Sequence, residues 1–286
     1  MQSIFSIDVE DWYHILDVPS APALPQWDAL PARVESNFLR MLDLLGEAGG
    51  RATCFFIGHI AQRFPHLVRE AKARGHEIAS HSFAHQLVYT MSPAEFLEDA
   101  SRSRKLLEDI SGGPVLGFRA SGFSVTESTP WFFEKLVEAG YAYDSSTFPA
   151  ARGHGGLKSG QLEPHARQTP AGKLVEFPVT VTDVLGKRLC FFGGGYLRLF
   201  PYPLVKLMSR SVLGQGRPVI FYVHPREIDP DHPRLPMSIA RRFKSYVNLH
   251  TTERKIRNIL ADFPTTTFRD YLAEHRARLE VCRGNE

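Results

Sequence analysis

Cysteine is scarce: the 286-residue chain has three, an odd number with no Cys-x-x-Cys pair. Cys54, Cys190 and Cys282 therefore give neither a disulfide framework nor a thiolate metal site, and a reducing compartment is expected. Cys54, inside the apolar run Ala52–Ile57, reads as a small buried hydrophobe. Long hydrophobic runs are missing too. No stretch approaches the roughly 18 consecutive apolar residues of a bilayer helix. The N-terminal MQSIFSIDVEDWYH meets a carboxylate at Asp8 before a signal-peptide core forms. The expectation is a cytoplasmic protein, placed at the inner face of the membrane if its substrate is lipid-linked. Neither sign of charge dominates: 34 Lys and Arg against 31 Asp and Glu leave a formal +3. The densest basic cluster, Arg241, Arg242 and Lys244, is small, so nucleic acid is not expected as a partner. Fixed-period repeats and low-complexity tracts are also lacking, and nothing in the pattern sets an oligomeric state.

What is present is an ordinary globular composition, 43% hydrophobic and 23% charged. Short apolar runs alternate with helical patterns. Ile4–Ile7, Ala52–Ile57, Glu77–Ser80, Val115–Phe118, Tyr141–Tyr143, Leu174–Phe177 and Val219–Val223 read as strands. Val34, Phe38, Met41, Leu42 and Leu45 keep helical spacing up to Gly49-Gly50, and a further helix runs through Val68 and Ala71 to Gly75. Ser92-Pro-Ala-Glu95 has the form of a capping box, and Thr129-Pro130 opens another helix that Gly140 ends. This alternation predicts an α/β fold with a mainly parallel sheet, open or closed into a barrel. Ala150–Thr169 lacks a period and reads as a long surface loop, and one amphipathic helix is expected near Ser245–Leu260. The expected organisation is a catalytic domain over 1–228 and an extension over 229–286 packed on it, because about 60 residues make little core alone.

Polar groups recur where the proposed strands end: Asp8-Val-Glu-Asp11, His81-Ser-Phe-Ala-His85, Arg119, Asp144 and His224. Barrel enzymes place catalytic groups at that rim, where the loops converge. His81 and His85, four apart, would face one side of a helical turn and reach a single divalent cation. The pair lacks the glutamate of His-Glu-x-x-His, so a zinc-protease reading fails. A third ligand would come from the acidic triplet, leaving open positions for water and substrate. In extended chain Asp8 and Glu10 project to one side and Asp11 to the other. One carboxylate would bind the ion while another takes a proton from water.

These residues resemble the NodB-type polysaccharide deacetylase family over about residues 4–224. The branch most similar is that of exopolysaccharide-locus deacetylases with an added tail. It is carried by Phe5–Tyr13, Gly117–Ala120, Tyr143–Ser146, Gly193–Tyr196, Val223–Asp229 and the tail Arg242–His250. The resemblance implies a distorted (β/α) barrel and a metal-dependent hydrolase that removes N-acetyl groups from N-acetylhexosamine units of a polysaccharide or its precursor. It implies Asp8 as base, His81 and His85 as ligands of one divalent metal, and Glu10, with Asp11 as the alternative, as the carboxylate ligand. The ion would be zinc, with cobalt, manganese or nickel as alternatives. It makes Arg119 the partner of Asp8 and His224 the acid, with Asp144 orienting His224 or Arg119 or capping its own turn. The third motif stands as Arg119-Ala-Ser-Gly-Phe123 without the family's proline, which puts an oxyanion-binding amide near Ser121–Phe123 in question. Trp12, Tyr13, His14, Gly122, Phe123, Gly195 and Tyr196 are candidates to contact the sugar. Hydrolysis of a small amide or ureide, as by allantoinase-like relatives, and an inactive carbohydrate binder are the competing readings.

Overall fold

The computed structural model describes residues 2–150, 155–157 and 160–279; Cys282 and parts of the 150–169 segment lie outside them. The chain opens with β1 (Ser3–Val9), buried along its whole length, then α1 (Val34–Glu47) and β2 (Thr53–Phe56). Six side chains of α1, among them Phe38, Met41 and Leu42, are buried, each contributing roughly 1.5–3 kcal/mol. Pro65 divides the next helical stretch into α2 (Gly58–Arg63) and α3 (Pro65–Ala73), because it cannot donate within a continuous helix. After β3 (Glu77–Ser80) comes α4 (Pro93–Ser111), which shows the expected box. Ser92 Oγ accepts from Glu95 N at 3.3 Å, Glu95 Oε2 accepts from Ser92 N at 2.8 Å, and Gly112 ends the helix at φ +64°.

β4 (Gly117–Phe118), α5 (Phe132–Glu138) and β5 (Tyr143–Asp144) follow. The segment read as loop in fact ends in β6 (His165–Thr169), which pairs antiparallel with β7 (Gly172–Glu176). Its pairing comes from that hairpin rather than from an apolar pattern of its own. A small hairpin, β8 (Thr182–Val184) and β9 (Lys187–Leu189), precedes α6 (Gly194–Leu199), α7 (Tyr202–Gly214) and β10 (Ile220–Val223). The expected C-terminal helix is two, α8 (Ile239–Tyr246) and α9 (Thr252–Asp262). Asn248, at φ +51° and donating to Arg198 O, turns the chain between them. β11 (Thr265–Thr266) and α10 (Phe268–Glu274) follow.

The main sheet runs β10-β1-β2-β3-β4-β5-β7-β6, parallel except at β6, with β11 beside the start of β1. Among the described residues β10 and β6 do not pair, so the barrel is not closed. β1 sits centrally between β10 and β2. The C-terminal ends of β1, β3, β4 and β10 therefore meet at one mouth.

Candidate active site

Asp8 lies near the end of β1, and Glu10 N donates back to Asp8 O at 2.9 Å, a turn that leaves both carboxylates on the mouth side. Arg119, fully buried after β4, grips Asp8: Nη1 donates to Asp8 Oδ1 at 2.6 Å and to Ser6 Oγ at 2.9 Å. Its other nitrogens donate to Ser145 O and Oγ. The guanidinium lies 4.1 Å from the Phe55 ring centroid, so the charge is held by an ion pair, hydroxyls and a π-face together.

Glu10 Oε1 lies 3.2 Å from His81 Nε2 and 3.0 Å from His85 Nε2. Burial alone would raise the Glu10 carboxyl; the charges of His85 and His224 and the contacts with both imidazoles hold it well below the usual range. For His81, burial works against the charged ring, and the Glu10 contact with the charges of Asp8 and Glu10 overcomes it, raising the imidazole. His81 Nδ1 donates to Arg119 O at 2.7 Å, which fixes the ring and leaves Nε2 toward the cluster. The two histidines do not lie on a helical turn as the spacing predicts. Ser82 and His85 both take positive φ, +62° and +52°, and the loop is held from outside: Asp99 on α4 accepts from Phe83 N and Ala84 N, and Ser82 Oγ accepts from His85 N. Convergence thus comes from a braced loop. Glu10, His81 and His85 are the metal-capable group among the described residues, their donor atoms all within 4.8 Å of one another. A carboxylate and two imidazoles whose free nitrogens share one centre fit a divalent cation.

Asp11 points elsewhere. Its carboxylate accepts from Trp12 N, Arg33 N and Val34 N at 2.7, 2.8 and 3.0 Å, capping α1 from outside the helix. It is thereby occupied with amides at a helix N-terminus, where a negative charge is favoured. Across the mouth His224 Nε2 stands 3.8 Å from Asp8 Oδ2 and 3.7 Å from Glu10 Oε1. Burial pushes its imidazole down to about 4, so it is neutral near pH 7. Its orienting partner is Glu227, not Asp144: His224 Nδ1 donates to Glu227 Oε2 at 3.2 Å, the same oxygen accepts from His224 N, and Arg198 ion-pairs with the other oxygen. The sequence signal was available, since Glu three residues past His224-Pro225 has the form of a capping box.

Asp144 sits one layer below. It accepts from Ser146 N and Oγ, and Ser146 Oγ accepts from Ala120 N, so it supports the Arg119–Phe123 turn without touching His224. Burial raises both Asp144 and its neighbour Glu176, whose carboxyl also feels the Asp144 charge and stands well above the usual range. In the turn, Gly122 and Phe123 are both left-handed (φ +61° and +54°), and Phe123 N already donates to Ala120 O. That removes the Phe123 amide from the oxyanion candidates.

The mouth opens into a cavity of about 390 Å³ lined by Asp8, Glu10, His14, His81, His85 and His224, with Gly122, Phe123, Gly195 and Tyr196 among its other walls. Trp12 and Tyr13 are not among them. Both are buried against Trp27, and Trp12 Nε1 donates to Pro31 O, so core packing claims these rings. His14 Nδ1 accepts from Asp11 N at 2.8 Å, which puts the proton of the neutral ring on Nε2. That nitrogen is buried and without a partner; burial, then the His85 charge, holds the ring well below its ordinary pKa. The Gly193–Gly195 run is the start of α6, with Gly193 as its N-cap. A Cβ on Gly193 would lie 2.2 Å from the Tyr222 ring, so the glycine admits that ring.

Residues 22–143 match the family described as polysaccharide deacetylase, and residues 145–273 match a domain of unknown function (DUF3473). A peptidoglycan-N-acetylglucosamine deacetylase of Bacillus cereus is 33% identical over 102 residues, 36% of this chain and 46% of that protein. A chitooligosaccharide deacetylase of Azorhizobium caulinodans is 35% identical over 79 residues, 27% of this chain and 38% of that protein. The matches thus span less than half of either relative. A Mycobacterium smegmatis structure grouped with the polysaccharide deacetylases superposes with a TM-score of 0.65 at 20% identity, over 99% of this chain and 93% of that one. At that identity the superposition speaks for the fold, a mostly parallel α/β architecture of the NodB type. The segment that carries His81, His85 and Arg119 is thus similar to the polysaccharide deacetylases, and the whole chain shares the NodB-type fold.

Proposed function

We propose that the protein is a metal-dependent N-deacetylase that removes acetyl groups from N-acetylhexosamine units of a polysaccharide or its precursor, as in exopolysaccharide synthesis. The observation that carries this reading is the shared centre of Glu10, His81 and His85 beside an Arg119-bound Asp8 and across from His224, all at one open cavity. The names of the matched relatives, acting on peptidoglycan and chitooligosaccharides, support the substrate class. Glu10, His81 and His85 would hold the cation, for which zinc suits the nitrogen-rich set best. When bound, such an ion supplies Lewis acidity, making water more nucleophilic and drawing charge from an acyl oxygen.

The protein's own groups do the rest. Water attacks the acetamide carbon as the carboxylate of Asp8 takes its proton, with Arg119 holding that carboxylate in place. The C–N bond then breaks, and His224 Nε2 delivers a proton to the departing nitrogen. Because His224 is neutral at rest, the proton it gives is the one Asp8 took from the water, passed across the 3.8 Å between Asp8 Oδ2 and His224 Nε2, which leaves Asp8 a carboxylate again. Acetate and a free amine result. His14 offers its Nε2–H to the sugar, and the Phe123 and Tyr196 rings flank it. Residues 1–228 form the catalytic unit in this reading. Of the extension over 229–286, the described residues pack on it: β11 lies on β1, Arg40 pairs with Glu253, and Lys255 donates to three carbonyls at the end of α6.

The decisive experiment measures acetate release from N-acetylated oligosaccharides by the zinc-loaded protein alongside metal content. E10A and H81A should lose both metal and turnover, whereas D11A should keep the metal. Full metal occupancy with no acetate from any N-acetylated saccharide would overturn the reading.

A further inference from the structure

The cavity is lined by both signs of charge: Asp8, Glu10 and the imidazoles, and also Arg226 and Arg241, with Arg198 and Lys244. These cations are not equivalent. Arg198, though its Nε is unmatched, is committed through both terminal nitrogens to Glu227 and to the carbonyls of Lys244 and Ser245, and Lys244 is exposed. Arg226 is different: its Nε and Nη1 are buried and make no hydrogen bond. Arg241 donates through Nη2 to Leu16 O, but its Nε is likewise buried and unmatched. Among the described residues neither guanidinium is in ion-pair contact with a carboxylate. The charged groups that bear on Arg226 are Glu10, itself shared between two imidazoles, the Tyr246 hydroxyl, and the like charge of Arg241.

Two neighbouring guanidinium groups with desolvated, unmatched N–H donors are costly unless an acceptor arrives from outside. Their planar forks suit a carboxylate or a phosphate. We propose that Arg226 and Arg241 form an oxyanion subsite, so that the preferred saccharide carries a carboxylate or phosphate on the acetylated residue or its immediate neighbour. Arg226 stands two positions past His224 and faces Glu10, which keeps the anion within about one sugar of the reacting carbon. The inference rests on the deacetylase reading only in calling the ligand a substrate; recognition of the anion is tested separately.

The probes are an N-acetylhexosamine disaccharide with a neighbouring uronate, the same compound with that carboxyl converted to an amide, and a third bearing a phosphate monoester. Calorimetric binding and acetate release are measured for each. A charge-assisted bidentate contact should make at least one anionic probe bind roughly tenfold or more tightly than the amide, with the preference falling as salt rises. Preference for the uronate alone assigns a carboxylate, and for the ester alone a phosphate; either supports the subsite. R226Q and R241Q should each reduce the ratio of anionic to neutral affinity toward one. If R226Q folds poorly, R241Q, on the more open α8, carries the test. Equal binding of all three probes by the wild type, or an undiminished preference in folded R226Q and R241Q, overturns the proposal. Arginine-dependent binding without acetate release would leave the subsite standing and remove the deacetylase reading. Acetate release indifferent to probe charge would do the reverse.

Discussion

Replacing Asp8 by asparagine separates the base from the metal ligands in one substitution. The side chain keeps its shape and one acceptor oxygen, but the buried Arg119–Asp8 pair, both partners at most 2% exposed, loses its negative member. Breaking such a pair costs about 3–5 kcal/mol when the remaining charge is stranded. Arg119 is not fully stranded, since it still donates to Ser6, Ser145 and the new amide oxygen and still faces Phe55. A desolvated cation–π contact of about 2 kcal/mol and the surviving hydrogen bonds reduce the expected loss to about 2–3 kcal/mol. For a chain of this size that is a fall in Tm of roughly 4–12 °C. Turnover should drop by roughly 100- to 10,000-fold, the range for a general base. Metal content should not change, because Asp8 is not among the three groups that share a centre. Thermal melts, metal analysis and acetate release on one preparation check all three. A variant that retains near wild-type turnover, or that loses its metal, refutes the assignment of Asp8.

E227Q should leave metal binding and KM near wild type and lower kcat by roughly 10- to 100-fold, because it weakens the bond that aims His224 and leaves Arg198 unpaired; an unchanged kcat would show that His224 needs no such partner. E176Q addresses the carboxyl pair with Asp144. An acid whose pKa is raised on folding binds a proton in the native state that the unfolded state has released, so its stabilisation is present below the unfolded pKa and lost as pH rises through the folded one. Wild-type stability should therefore decline above about pH 4.5 from this pair, and urea titrations of E176Q across pH should show a shallower decline. K255M removes three donations of 2.8 Å at the end of α6. At about 1 kcal/mol net per hydrogen bond it should cost roughly 2–3 kcal/mol, read as a lower urea midpoint with an unchanged m value.

Strand positions were legible where a strand is an apolar run of a few residues closed by a polar group, as β1, β3 and β10 are and β6 is not. β3, read as Glu77–Ser80, has those bounds in the structure. Helix starts were legible where local chemistry specifies them, as at Ser92 and Glu95. What periodicity does not encode is a cap supplied from elsewhere. Asp11 serves α1 across 22 residues of chain, so its role shows only once β1 and α1 are packed. The His81–His85 spacing singled out two rings that do share a centre, but not for the helical reason, since two left-handed residues and Asp99 on a neighbouring helix aim them. Trp12 and Tyr13 adjoin the acidic triplet in sequence, but the chain turns after Asp11 and buries both rings against Trp27. Proximity to a catalytic motif carried no information about which way an aromatic faces.

The C-terminal segment shows the same limit at larger scale. No motif marks Arg241 or Lys255 as belonging with His81, yet Arg241 lines the cavity and Lys255 fastens the end of α6, the helix that presents Arg198. Arg198 in turn holds Glu227, and Glu227 holds His224. The chain of contacts runs from residues beyond 228 to the proposed proton donor through buried, charge-assisted bonds, each of which loses strength if the preceding one is removed. Deleting the extension would thus strip His224 of its orientation as well as uncovering β1. On the proposed reading the segment bears on chemistry through Lys255, Arg198 and Glu227 and on recognition through Arg241, two effects that kcat and the anion preference report separately.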